Sequence, residues 1–457
     1  MRKEPRKKLR KEPRDALRKE HILLKSGFGK VSITPSAGAS LAGFAARKEV
    51  STGVHDDLFA RALVIDNGAL PVALVSLDVL AIPAGFADRV RLAIAGRVPV
   101  PPGSIMIACT HTHAAPVTIT TFFNPEEAVD PQYIERLARA IEDAVAEAWQ
   151  HRAGSRIGVG AGHVADIGVN RRSLTGRPVD EEIGIVKVAN SDGKASGVLF
   201  NYACHPTVLG PDNLLATGDF PNMAVARIES RLGPDSFAMY TNGAEGDISM
   251  GHSSELSAIG VIAPDRTFEH ATELGFRLGD AVLAALDRIE TSDSLALDAA
   301  TLLLKLPLKR YPAPDVTARA VLHAEERLKG LEGAGDSLAC RQAKSELLYR
   351  SIEHYYARTT ARFADGMLPI QLEAIRIQDA LFVAVPGELF VEVALCAKAA
   401  ARHPIFVVGV ANGYYGYLPS RDACRQGGYE VVSSMCEPES ADRLLEAIAE
   451  LERRLFP

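Results

Sequence analysis

Long hydrophobic runs are missing from this sequence. No window of its 457 residues approaches the ~18–20 consecutive apolar residues that a membrane-spanning helix requires. The first residues are densely charged where a secretory signal would have an apolar centre, so a cytoplasmic location is expected. Cysteine is scarce: Cys109, Cys204, Cys340, Cys396, Cys424 and Cys436 are scattered and never spaced C-x-x-C. That excludes a thiolate zinc cluster and a disulfide framework, and predicts reduced thiols. Also absent are the Gly-x-Ser-x-Gly elbow, the P-loop, a glycine-rich dinucleotide fingerprint opening a strand-to-helix unit, and H-E-x-x-H. A serine hydrolase of the elbow type, a P-loop nucleotidase, a Rossmann dehydrogenase and a thermolysin-like zinc helix are therefore not expected.

What is present is ample apolar content, 47% of residues, enough to bury a large core. Residues 1–20 carry a net charge of +6, against −6 for the whole chain, so the body is acidic. R-K-E-P-R occurs at Arg2–Arg6 and again at Arg10–Arg14, with prolines and few apolar anchors between. Such a segment cannot bury enough surface to fold alone, and residues 1–25 read as a charged, solvated extension. A nucleic-acid tether would need interleaved aromatics and a basic body behind it. Neither is there, so no nucleic-acid partner is expected.

Along the body, strand-like and helix-like segments alternate, which indicates an α/β architecture with a large mixed sheet flanked by helices. Strands are expected at Leu63–Ile65, Val72–Leu77, Ile105–Cys109, Ile183–Val188, Gly197–Tyr202, Gln371–Ile377 and Leu381–Val385, and helices at Ala84–Ala95, Tyr133–Trp149 and Ser440–Arg454. Between Arg310 and Arg362 an Ala/Leu/Glu/Arg/Lys-rich stretch with one break at Gly333–Gly335 predicts a helical hairpin inserted into the sheet order. No repeat is legible beyond the tail and no linker separates independent units, so residues 26–457 read as one catalytic domain with a helical insert at about 310–362.

Candidate chemistry clusters at strand ends. Thr110-His111-Thr112-His113 follows the apolar run Ile105–Cys109, and alternate residues on an extended chain share a face, so two imidazoles can serve one site. His205 sits after another apolar strand and before a proline. Glu388 in Pro386-Gly387-Glu388 follows a third, either as a carboxylate at the sheet margin or as the acidic residue of a helix N-terminus. Asp219 and Asp247 lie in glycine-containing loops, as ligands of a second metal or as turn residues. Cys204 beside His205 is a nucleophile–base alternative, but neighbouring strand residues point to opposite faces.

Taken together these segments resemble the neutral/alkaline non-lysosomal ceramidase family, known for a T-H-T-H-S-G-P type segment that here reads Thr110-His-Thr-His-Ala-Ala-Pro116. Further matches are Ile33-Thr-Pro35, Leu41-Ala-Gly-Phe44, His55–Ala60 with Arg61-Ala-Leu63, Val169-Asn-Arg-Arg-Ser173, Thr217-Gly-Asp219, Asn242–Ser249, Pro386-Gly-Glu388, Ala411–Tyr417 and Tyr429-Glu430. The resemblance implies an α/β catalytic domain holding one zinc ion on His111, His205, Glu388 and Tyr417. It implies His113, Arg171 and Tyr429 around the substrate carbonyl, with His113 the proton carrier, and Gly43 lining the pocket. The implied reaction is hydrolysis of a linear amide by a zinc-activated water. An esterase or lactonase using the same site is the alternative, and a binding protein without turnover the third reading. Longer members carry an additional C-terminal β-sandwich, whereas this chain ends at Pro457 soon after Tyr429, so a small soluble amide or ester is the expected partner. Homo-oligomerisation is left open.

Overall fold

The computed structural model describes residues 24–124, 128–173, 176–331 and 337–457. The charged extension, apart from Leu24 and Lys25, and the Gly333–Gly335 break lie outside the described residues. The mixed α/β architecture is present, its strands distributed over three principal sheets and several two-stranded ribbons.

The first sheet orders its strands Lys25–Ser32, Phe59–Asp66, Pro71–Leu77 and Ile105–Cys109, with a short fifth strand at the edge. The second runs Arg156–His163, Glu182–Ala189, Ala195–Tyr202, Phe237–Asn242, and the third Leu297–Pro307, Met367–Ile377, Ala380–Ala384, Ile405–Val408. In each, the first three strands are antiparallel and the fourth lies parallel to the third. A helix bridges each parallel pair: Ala84–Arg97, Asp219–Leu232 and Val391–Ala400. Another helix follows each fourth strand: Pro131–Gln150, Phe268–Leu286 and Glu439–Leu455. The same path is thus traced three times, correcting the expectation of no repeat. Pattern matching missed it because the copies share order of elements rather than residues. The second and third also begin on strands that do not read as such, the glycine-rich Arg156–His163 and the long Leu297–Pro307.

Both faces of each principal sheet carry buried side chains, apart from the outer end of Leu297–Pro307, where one face is exposed. Leu63 and Ile65, Val186 and Val188, and Ile375 and Ile377 point into one central core shared by the three sheets. Their alternating neighbours point outward to separate cores under the flanking helices: Ala62 and Val64, Ile183 and Ile185, Leu372 and Ala374. Burial on both sides is why these strands read as unbroken apolar runs. The expected helical hairpin is seen as Pro314–Lys329 and Leu338–Thr360, lying in sequence between the first two strands of the third sheet. Among the described residues no helix is long and apolar enough to cross a membrane.

The central core needs one glycine in particular. A Cβ on Gly184, in the second sheet, would lie 2.5 Å from Cδ1 of the buried Phe406 in the third. Gly184→Ala is expected to destabilise the fold by about 1–3 kcal/mol, the usual cost of overpacking, measured as a lowered denaturant midpoint. Pairing it with Phe406→Leu should recover part of the loss; no difference between the single and double variants would mean the ring contact is not the cause.

Candidate metal centre

Because all three parallel pairs run in step, their C-terminal ends meet. Cys109 N–H donates to Val410 O at 3.1 Å, Gly409 N–H to Asn242 O at 3.0 Å, and Asn242 Nδ2 to Thr110 O at 3.3 Å, so the ends of the three sheets bond to one another in a ring. The first sheet delivers His111 and His113, the second His205 and the third Glu388 and Tyr417. Strand ends carry chemistry in α/β proteins for this reason: side chains from separate connections converge without disturbing the ladders.

His111 and His113 do not meet by strand alternation. The strand stops at Cys109, and His111 takes φ 69°, a left-handed kink that aims both rings inward. Backbone strain in a non-glycine residue at such a point is a mark of a functional site. The His111 Nδ1 nitrogen faces Leu80 O at 2.8 Å, which assigns the proton there and leaves Nε2 unpartnered and shielded from water. His205 Nδ1 likewise faces Glu245 O at 2.7 Å and Ile248 O at 3.0 Å, and its Nε2 lies 2.9 Å from Glu388 Oε2. That carboxylate oxygen is also 3.7 Å from His111 Nε2. His113 has neither ring nitrogen partnered, and one nitrogen from each of the three imidazoles lies within 4.8 Å of the others. Gly43, at φ 102°, lies under the His113 ring, where a Cβ would come 2.4 Å from Cγ.

Electrostatically the centre is a buried anion among neutral rings. Burial holds His111 down at about 4 and His113 well below its ordinary value. Burial alone would push Glu388 up, but His111, His205 and a hydrogen bond from Tyr414 (2.5 Å to Oε1) bring it down to about 2, so it is ionised. An ionised carboxylate, an orphaned imidazole nitrogen and a second imidazole with its outer proton fixed by a carbonyl form a donor set that fits a zinc ion.

Arg171 connects this centre to the next layer. Its Nη2 donates to Tyr417 Oη and to Gly246 O, both at 2.9 Å, and its Nε donates to Glu430 Oε1 at 2.9 Å. Glu430 also accepts from Arg172 at 3.2 Å and from Ser254 at 2.8 Å. Burial keeps the Tyr429 phenol protonated, pushing it above its ordinary value, and its ring centroid is 6.3 Å from that of Tyr417. His113, Arg171, Tyr417, Tyr429 and Gly43 all line one cavity beside the imidazoles.

Other candidates resolve differently. Asp219 opens a helix and accepts from Leu209 and Phe220 N–H, while Asp247 accepts from Val391 N–H and Asn170 Nδ2. These are turn and capping roles, and the described residues gather no second metal-competent group around them. Glu388 sits in a two-residue strand paired with Tyr417-Leu418 ahead of the helix that starts at Val391, which is the sheet-margin reading. Cys204 points away from the rings toward Met250, its thiol pushed up by burial, and cannot act with His205. Tyr414 and Glu430 complete the centre, and in the sequence only their place in the Ala411–Tyr417 and Tyr429-Glu430 segments marks them.

The fold and this centre define an α/β protein with buried histidine and carboxylate side chains gathered at its strand ends. A sequence model described as neutral/alkaline non-lysosomal ceramidase, N-terminal, matches residues 24–252, and the chain belongs to that family. It is 25% identical over 237 residues to the neutral ceramidase of Drosophila melanogaster, covering 46% of this chain and 33% of that one. To neutral ceramidase 2 of Arabidopsis thaliana it is 27% identical over 228 residues, covering 44% and 29%. The chain thus spans about a third of the length of the curated relatives it matches. Its fold superposes on the crystal structure of neutral ceramidase from Pseudomonas aeruginosa with a TM-score of 0.72 at 17% identity, over 95% of this chain and 74% of that one. A structure titled ceramidase complexed with C2 gives a TM-score of 0.71 at 17% identity, over 95% and 75%. The family match includes His111, His113, Arg171 and His205. Glu388, Tyr417 and Tyr429 lie beyond it and reach the same centre through the third sheet.

Tyr414→Phe removes the hydrogen bond that directs Glu388 while leaving every nitrogen in place. Zinc affinity, measured by competition with a chelator, is expected to fall about 10- to 100-fold. Unchanged affinity would show that Glu388 is oriented without it.

Proposed function

We propose that this protein is a zinc-dependent hydrolase that cleaves a linear amide of the N-acyl type. The observation that carries the reading is the fully buried, ionised Glu388 beside the unpartnered His111 Nε2 and the oriented His205. His111, His205, Glu388 and Tyr417 would hold the ion. The phenol of Tyr417 is the unusual member: burial and the Glu388 charge push it well above its ordinary value, and the Arg171 cation donating to its oxygen opposes them. Zinc, when bound, acts as a Lewis acid that makes water nucleophilic near neutral pH and polarises a carbonyl.

The surrounding residues supply the rest. An amide differs from an ester in that its nitrogen must be protonated before it leaves. Of the three imidazoles, only His113 has both ring nitrogens unpartnered, so it alone can accept a proton at one and deliver one at the other. Its buried, neutral resting state suits the accepting step first. Charge developing on the carbonyl oxygen falls beside Arg171 and Tyr429, a fixed cation and a phenol that stays protonated. Preorganised donors of this kind stabilise an oxyanion without reorganising during the reaction. Arg171 is held for that role by Glu430, which spends its own charge on the two neighbouring guanidinium groups of Arg171 and Arg172.

Elemental analysis is expected to find close to one zinc per chain, and chelation should abolish hydrolysis of a set of N-acyl amides, with zinc restoring it. A chelated protein that kept full activity would overturn the reading. The two tyrosines should separate. Tyr417→Phe is expected to lose zinc and activity together, partly rescued by added zinc. Tyr429→Phe should keep its zinc while turnover falls about 10²–10³-fold, the size of one oxyanion donor. Full zinc and full rate in Tyr417→Phe would remove it from the ligand set.

A further inference from the structure

The cavity that contains His113, Arg171, Tyr417 and Tyr429 continues to a wall that the reaction above does not use, formed by His252, Ser257 and Arg266. Arg266 is 8% exposed, yet Nε and Nη1 are shielded from water with no acceptor, and only Nη2 is engaged, donating to Ser257 Oγ at 2.6 Å. A buried donor left unpaired costs free energy, more so on a charged group. Among the described residues no carboxylate forms an ion pair with this guanidinium; the exposed Asp212 acts on it through charge alone, ahead of Asp219 and Asp265, and burial outweighs that attraction. Asp265 reaches His252 instead, at 3.9 Å, and Asp219 is occupied by backbone N–H groups. His252 Nε2 is likewise buried and without a hydrogen bond. The wall stands one aromatic ring from the reacting centre: Phe44 packs edge-on to His113 with centroids 5.0 Å apart, and Arg266 Cζ is 5.6 Å from the same ring.

From this we infer that the cavity binds a carboxylate of the substrate at Arg266, and that the preferred substrate is a linear amide bearing a carboxylate rather than an uncharged lipid amide. The inference rests on the hydrolase reading above and adds the substrate class. Ser257 keeps Arg266 in place, since its hydroxyl accepts from Nη2 while donating to Ser253 O at 2.8 Å. One side of the guanidinium is thus fixed, and its remaining N–H groups are left for an anion. Two kinds of substrate carry such a group: N-acyl amino acids, with the carboxylate on the amine side, and monoamides of dicarboxylic acids, with it on the acyl side.

The test compares the zinc-loaded wild-type protein on N-hexanoyl derivatives of glycine, β-alanine and γ-aminobutyrate, on the hexylamides of succinate and glutarate, and on the matching primary amides of each acid. At least one carboxylate series is expected to exceed its neutral counterparts in kcat/KM by about 10- to 100-fold, the range of a charge-assisted hydrogen bond. Arg266→Gln should erase that preference by raising KM for the acids, with the neutral amides and the zinc content unchanged. Arg266→Lys, which keeps the charge, should retain part of it and serves if the glutamine variant does not fold. Equal turnover of acids and neutral amides by the wild type would overturn the inference while leaving the hydrolase reading intact. So would an equal loss on both in Arg266→Gln. If no compound is cleaved, the hydrolase reading fails, and calorimetric titration of the same acids into the zinc-loaded protein decides the site by itself. Binding that is lost in Arg266→Gln supports it, and no binding overturns it.

Discussion

Glu388 is an ionised carboxylate with almost no exposure to water, and the organisation around it follows from that burial. Removing such a charge from water costs several kcal/mol even after relaxation, so it persists only where partners are arranged to receive it. Here those partners come from every part of the chain: His111 from the first sheet, His205 from the second, Tyr414 from the loop after the third. None of them carries a full positive charge, since burial keeps the imidazoles neutral. The one full positive charge acting on Glu388 among the groups described above is Arg171, which is itself bonded to Tyr417 and Glu430, and the His111 nitrogen beside the carboxylate is left without a partner.

The threefold path makes this convergence achievable. A parallel pair needs a crossover, and in each of the three units the crossover is a helix on the outer face, which leaves the inner face free for the shared core. With three inner faces packed together, three pairs of strand ends arrive at one end of that core, and their backbones complete one another's hydrogen bonding. The residues that follow are then fixed by the sheets rather than by loops, which is the condition for holding ligands within a few tenths of an ångström. The kink at His111 is the exception, a strained turn tolerated because Leu77 O accepts from Thr110 N–H, Val79 O accepts from the N–H of His111 itself, and Leu80 O faces its ring.

Much of this was legible from residues alone. The apolar runs at Val72–Leu77, Ile105–Cys109 and Leu381–Val385 announced buried strands, and the histidines and glutamate that follow them mark where those strands stop. Glycine hid the strand at Arg156–His163, since four small residues in eight lower any strand propensity and the packing of Ile289 against them is a tertiary fact. The repeat was hidden because order of elements leaves no trace in residue identity. Arg266 and His252 gave no signal either. They belong to no motif, and their meaning lies in what does not contact them, which only the packed structure reveals. The convergence of His111 and His113 was anticipated for the wrong reason, a shared strand face, where a left-handed turn does the work.

Anomalous scattering recorded across the zinc absorption edge, from crystals of the zinc-loaded protein, tests the central claim most directly. A single peak bounded by His111 Nε2, His205 Nε2, Glu388 Oε2 and Tyr417 Oη is the predicted result. A peak held by His111, His113 and His205 with Glu388 and Tyr417 outside it, or no peak at this centre, would contradict the account.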